Sequence, residues 1–162
     1  MLATLRSWHQ RRPFLFTALA LAAWLLLTIG WRPLAVPDEG RYATVALDMA
    51  HSGQWTVPLL NGMPFFHKPP LFYWITGAAL DLFGNHAWAA RLASALGAWC
   101  MGMGLYAFMR RYSSARQANW SLLLLASLPL YFGTAQYANL DMLVAGMISM
   151  TIFAGAHTAL RI

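Results

Sequence analysis

The stretch Pro37-Asp38-Glu39-Gly40-Arg41-Tyr42-Ala43, answered further on by Phe66-His67-Lys68-Pro69-Pro70-Leu71-Phe72-Tyr73-Trp74, decides how this chain is read. It is polar, charged and punctuated by proline, and apolar runs flank it on both sides. Between Pro37 and Trp74 lie three of the five carboxylates (Asp38, Glu39, Asp48) and the one lysine, Lys68. Acids and bases gathered in one loop between apolar runs point to chemistry at a membrane surface.

Composition agrees. Apolar residues make up 59% of the chain and charged residues 10%, against about 25% charge in a typical soluble domain. The class is therefore all-α integral membrane. Eight Trp, six Tyr and nine Phe supply aromatic belts for both interfaces. The net charge of +6 does not indicate nucleic acid, because the bases follow membrane topology instead. Cys100, in an apolar run, has no partner for an intramolecular disulfide and reads as a small hydrophobe. The phosphate-cradling G-x-x-x-x-G-K-[ST] and G-x-G-x-x-G patterns are missing, as is the G-x-S-x-G nucleophile turn. Nucleotide-binding transporter subunits and serine hydrolases are thereby set aside.

Four runs are long enough to cross a bilayer: approximately 14–31, 88–109, 118–133 and 140–160. The first follows Arg6, Arg11 and Arg12, as in a signal peptide, but its length and its Trp24 and Trp31 favour an uncleaved anchor. Leu71 to Phe83 is short for a crossing and carries Asp81, so it reads as an interfacial helix. Gly97, Gly102 and Gly104 offer small faces that expect helix partners from outside this segment. With the N-terminus in the cytoplasm, Arg6, Arg11, Arg12, Arg110, Arg111, Arg116 and Arg161 fall inside, seven of the eleven bases. Arg32, Arg41, Lys68, Arg91 and every acid fall in the external 32–87 loop or at the outer edge. The positive-inside rule is satisfied. Were Leu71–Phe83 to cross, the 110–117 turn with its three arginines would lie outside.

In the loop, Tyr42, Val45, Ala46 and Met49 recur at helical spacing, so 40–52 is predicted to be a second interfacial helix with Asp38 near its start and Ser52-Gly53 at its end. Asp38 and Glu39 are adjacent, point in different directions and do different jobs. Asp38 is either a helix cap or a proton acceptor. Arg41 and Lys68 suit an anion, one by a planar fork and the other by a point charge. His67 is a candidate proton donor, metal ligand or surface residue; no paired His or Cys spacing builds a zinc site around it. Asp141 opens the last run, where a carboxylate caps, pairs or works. Asp81 and Arg91 are spaced to pair across the Gly84 turn, and His157 and Trp99 read as packing residues within spans.

The Asp38-Glu39-Gly40-Arg41-Tyr42-Ala43 segment resembles the D-E-x-R-Y-A signature of polyprenyl-phosphate-dependent glycosyltransferases of the GT-C class. Among these the lipid A aminoarabinose transferases are nearest and the protein O-mannosyltransferases more distant. Trp55-Thr56-Val57-Pro58, Lys68-Pro69-Pro70-Leu71-Phe72-Tyr73-Trp74 and Leu140-Asp141-Met142 are similar to further parts of that family. The resemblance implies a GT-C-like fold with the external loop beside a cavity. It implies an inverting transfer of sugar from a polyprenyl-phosphate donor to a glycolipid, glycan or protein acceptor on the periplasmic side of a bacterial inner membrane. Carried over by position, Asp38 is the acid nearest the acceptor, Asp141 a second functional acid, Glu39 a third candidate, and Arg41 and Lys68 the donor-phosphate grip. His67 stands where relatives often carry Glu, which leaves an acceptor contact or a divalent metal open there; no other cofactor is implied. Residues 1–162 resemble the N-terminal portion of such an enzyme, whose members have about a dozen spans. The competing reading is a truncated, non-catalytic membrane protein that binds polyprenyl phosphate or serves as an accessory subunit. A small transporter would need charges near the middle of its spans, and these spans carry none.

Overall fold

The computed structural model describes residues 13–160, which are mostly helical. Arg6, Arg11, Arg12 and Arg161 lie outside them. In chain order the elements are α1 (Pro13–Leu26), α2 (Asp38–Ser52), a two-stranded hairpin β1 (Leu59–Leu60) and β2 (Met63–Pro64), α3 (Leu71–Phe83), and α4 (Ala87–Ala90). Then follow α5 (Leu92–Tyr112), α6 (Ala115–Ser127), α7 (Pro129–Ala135) and α8 (Leu140–Ala159).

Two of these, α5 and α8, are long and apolar enough to cross a membrane. The other two predicted crossings are interrupted. The α1 helix closes at Leu26, yet the chain continues in tighter turns, with Ile29 N–H donating to Leu26 O and Trp31 N–H to Thr28 O. The run from Ala118 is split by Pro129. Its missing N–H and its ring force Leu128 into an extended conformation at φ −69°, ψ 123°. Phe132 N–H still donates to Leu128 O, so α6 and α7 are two pieces of a bent rod.

The small residues of α5 find their partners within the chain, which corrects the expectation of outside helices. A Cβ on Gly97 would lie 2.5 Å from Met142 O and from the Leu143 Cα, and one on Gly146 would strike the Gly97 carbonyl. The α5 and α8 backbones therefore touch. Gly102 receives Leu21 and Tyr131, and Gly104 receives Met150 and Phe153. The Tyr131 hydroxyl donates to Ala98 O at 2.7 Å, which fastens α7 to the same face. The outward faces of α6 and α8 carry Leu123, Leu124, Ile148 and Ile152 exposed, as a lipid-facing surface requires.

A hydrophobic cluster lies at the N-terminal end of α5. Val45, Ala46 and Met49 of α2 pack on Phe72, Tyr73 and Leu80 of α3, with Ala89, Ala90 and Ala93 beneath. The predicted apolar face of α2 and both ends of α3 agree with the sequence reading. Pro37, rather than Asp38, occupies the N-cap of α2, and Gly53 ends it at φ +68°. The hairpin is an addition to the sequence reading. Asn61 and Gly62 both take positive φ, the I′ turn that Asn-Gly favours, and pair Leu60 with Met63.

Gly97→Ala or Gly146→Ala is expected to force α5 and α8 apart and to cost about 1–3 kcal/mol, read as a lower unfolding midpoint in detergent. Gly133→Ala, where nothing lies within 4 Å of the added carbon, should lose nothing. Equal behaviour of the three variants would contradict the backbone contact.

Candidate functional site

The site is organised by a carboxylate and a guanidinium 52 residues apart in sequence. Glu39, in the first turn of α2, and Arg91, between α4 and α5, have side chains 0% and 1% exposed. Arg91 Nε donates to Glu39 Oε1 at 2.8 Å and its Nη2 to Oε2 at 3.0 Å, a two-pronged pair. The remaining donors reach the Ile29, Arg32 and Pro33 carbonyls at 2.7–3.0 Å. Glu39 also accepts from Arg32, from Ala35 N–H at 2.8 Å and from Ala138 N–H at 2.7 Å. One ion pair thus joins the exit of α1, the start of α2, the entry to α5 and the loop before α8. Arg91 pairs with Glu39 and not with Asp81, because Glu39 is brought beside it in a dry setting, whereas Asp81 is exposed.

Burial pushes the Glu39 carboxyl up, but the bonds from Arg91, Ala138, Ala35 and Arg32 outweigh it and bring its pKa down from 4.5 to about 2.

The flanking loop is tied down in the same way. Gln136 donates to Leu25 O at 2.6 Å, and its own carbonyl accepts from Arg32 at 3.2 Å. The Ser94 hydroxyl donates to Asn139 O at 2.8 Å and accepts from Asn139 N–H at 3.1 Å. Arg32 lies over the Tyr137 ring at 5.3 Å. Burial, with the Asp38 and Glu39 carboxylates nearby, raises the Tyr137 phenol.

Because adjacent helical residues diverge, seating Glu39 inside turns Asp38 outward. Asp38 is half-exposed and accepts from Arg41 Nη2 at 2.5 Å, one turn on. Arg41 lies over the Tyr42 ring at 5.5 Å. Asp141 stands exposed in the first turn of α8, behind Asn139, which caps that helix by accepting from Met142 N–H. Since Ala138 is bound to Glu39, Asp38 and Asp141 belong to the same end of the molecule. Lys68 is half-buried, on the strap from the hairpin into α3, and no ion pair reaches it among the described residues. His67 stacks on Phe65 with ring centroids 4.7 Å apart. Among the described residues, no three of His, Cys, Asp and Glu gather as metal ligands. Sequence reasoning missed Arg91 and Arg32 as parts of this assembly. The buried position of Arg91 left no periodic signal, since it sits at a helix junction.

Residues 67–161 match the family model described as dolichyl-phosphate-mannose-protein mannosyltransferase. The chain belongs to this family. Among curated members, it is 38% identical over 128 residues to the undecaprenyl phosphate-alpha-4-amino-4-deoxy-L-arabinose arabinosyl transferase of Pseudomonas savastanoi pv. phaseolicola, covering 76% of this chain and 24% of that protein. It is 33% identical over 155 residues to the Aeromonas hydrophila protein of the same name, covering 92% and 27%. The crystal structure of ArnT from Cupriavidus metallidurans bound to undecaprenyl phosphate superposes with a TM-score of 0.76 at 35% identity, over 84% of this chain and 25% of that one. Its apo form gives 0.77 at 38% identity, over 83% and 25%. The chain spans about a quarter of the length of the transferases it matches.

Arg91→Lys should destabilise the chain of this mannosyltransferase family by about 3–5 kcal/mol, since an ammonium cannot bridge Glu39 and three carbonyls at once. A carboxyl whose folded pKa is depressed stabilises the fold above its ordinary value and loses that contribution as the pH falls. The unfolding midpoint should therefore drop as pH falls from about 4.5 toward about 2. Glu39→Gln should be less stable at neutral pH and flatter through that window. A variant that keeps the full acid slope would move the slope to another group.

Proposed function

We propose that this chain supplies part of the membrane domain of a glycosyltransferase that moves a sugar from undecaprenyl phosphate to a lipid A-like acceptor. The supporting observation is the outward pair of Asp38 and Arg41 on α2, held in place by the buried Glu39–Arg91 pair. The likeness to a transferase that binds undecaprenyl phosphate supplies the substrate class. Membership in a mannosyltransferase family favours an enzyme over an accessory subunit.

In this mechanism the acceptor approaches Asp38, which orients it and takes its proton. The acceptor oxygen attacks the anomeric carbon from the face opposite the lipid phosphate, so the configuration inverts. Negative charge grows on the departing phosphate, and Arg41 and Lys68 hold it. Arg41 is shared between Asp38 and the phosphate, so donor binding loosens the ion pair and frees the carboxylate for the acceptor. Asp141 is the second acid, on α8. Glu39, with both oxygens engaged, acts by fixing α2. His67, one residue before Lys68 and stacked on Phe65, is the candidate for a further acceptor contact.

The chain crosses a bacterial inner membrane four times, at about 14–31, 88–109, 118–133 and 140–160. Its N-terminus is cytoplasmic, and α2 and α3 lie on the periplasmic surface. A crossing of about 30 Å needs roughly 20 helical residues, so α1 and α6 cross with the help of the turns and the bent α7 that extend them.

Topology has a direct measurement. A cysteine at Gly53 should react in intact cells with a membrane-impermeant thiol reagent, whereas one at Ser114 should react only after permeabilisation. The reverse labelling would invert the membrane orientation and remove the periplasmic site. Asp38→Asn tests the chemistry. It retains size and a hydrogen bond toward Arg41, and an exposed ion pair contributes only about 0–1 kcal/mol. A purely structural Asp38 therefore leaves sugar transfer near normal in the complete enzyme. The proposed role requires a fall of about 100-fold or more at equal protein level.

A further inference from the structure

Along the seam between α2 and α3 lie three buried polar atoms without a hydrogen-bond partner among the described residues: Arg41 Nε, the Tyr73 hydroxyl and the Thr76 hydroxyl. Tyr73 and Thr76 are both 0% exposed. A buried donor left unpaired costs stability, so each of the three needs either an oxygen acceptor or a reason to do without one.

The three are not equivalent. Beside Thr76, a Cβ on Gly77 would lie 2.7 Å from Ala46 O, so α2 and α3 meet backbone to backbone and close the seam at that level. Tyr73 lies one turn nearer the start of α3, where the chain arrives from Lys68 through Pro69 and Pro70. The Tyr42 ring links Tyr73 to Arg41, with its centroid 6.2 Å from the Tyr73 ring and 5.5 Å from the Arg41 guanidinium carbon. Arg41 spends Nη2 on Asp38 and keeps Nε for the protein side.

We propose that the Tyr73 hydroxyl is a second fixed donor, beside the Arg41 Nε–H, for a phosphate oxygen of the lipid-linked donor. The inference rests on the function proposed above and adds a residue to its donor site. The oxygen reaches the pair by displacing the Tyr42 ring from its contacts with Phe72 and Tyr73. Burial, with Tyr42 close by and against the pull of Arg41, raises the Tyr73 phenol to about 12. Tyr73 is therefore a neutral hydrogen-bond donor at any working pH and neither a base nor a nucleophile. An unpaired buried hydroxyl costs stability, and a phosphate oxygen that accepts from it removes that cost.

Tyr73→Phe removes the hydroxyl alone. In the complete protein, its affinity for undecaprenyl phosphate should fall about 10-fold. Its unfolding midpoint without ligand should stay level or rise, because an unpaired buried group has gone. Undecaprenol, which lacks the phosphate, should bind wild type and variant alike. Thr76→Val, on the closed side, should keep wild-type affinity for undecaprenyl phosphate. Unchanged affinity in Tyr73→Phe, an equal loss in Thr76→Val, or a loss accompanied by a lower unfolding midpoint would each overturn the proposal. Inorganic phosphate that binds the wild type as tightly as undecaprenyl phosphate does would overturn the lipid-linked source. Wild type that binds no undecaprenyl phosphate would overturn the proposed function together with this inference. Binding that ignores Tyr73→Phe would overturn the inference alone.

Discussion

The Glu39–Arg91 ion pair is the constraint on which the rest of this end of the molecule depends. Withdrawing two charges from water is expensive, and attraction alone does not reliably offset it. Here the cost is met by completeness. Arg91 spends its donors on two carboxylate oxygens and three carbonyls. Glu39 takes further bonds from Ala35, Ala138 and Arg32. The three carbonyls belong to the irregular exit of α1, where no helix would otherwise satisfy them. The pair therefore holds a piece of backbone that has no regular structure, and α2 is registered against it. If α2 rotated by one residue, Asp38 would face the core and Glu39 the solvent.

The backbone contact between α5 and α8 supplies the frame beneath. Gly97 and Gly146 bring the two rods together at the level where the Ser94 hydroxyl exchanges hydrogen bonds with Asn139. That closeness fixes the loop from Gln136 to Asn139, whose Ala138 N–H reaches Glu39. Helix packing and the polar network are thus one device. Close packing sets the position of the loop, and the loop presents an N–H to the carboxylate that orients α2.

A rigid support and an unsettled surface stand side by side. Glu39 and Arg91 are fully engaged, whereas Asp38 and Arg41 share a half-exposed pair, and Lys68 has no ion-pair partner among the described residues. The buried Arg41 Nε and Tyr73 hydroxyl are unpaired a short way inside. Unpaired donors near a positive charge favour an anion. This division, with satisfied groups beneath and spare donors above, is what a site for a charged lipid requires.

The apolar class, the two helices within 32–87, and the residues of α2 that face inward were legible in the sequence, because periodicity and turn residues act over a few positions. Val45, Ala46 and Met49 were legible from spacing, Gly53 from its place after the helix, and the small face of α5 from Gly97, Gly102 and Gly104. The Asn61-Gly62 turn carried a local signal of the same kind, although a two-residue strand adds little periodicity. Which acid goes inside was settled by long-range packing. Asp38 and Glu39 are neighbours with similar chemistry, and nothing local separates them; the choice is made by Arg91, 52 residues away. Nor did spacing reveal that Gly97 would meet Gly146, or that Arg91 would turn from Asp81 to Glu39. Burial and pairing are properties of the assembled space, and a charge finds its partner by which site is dry and within reach rather than by distance along the chain.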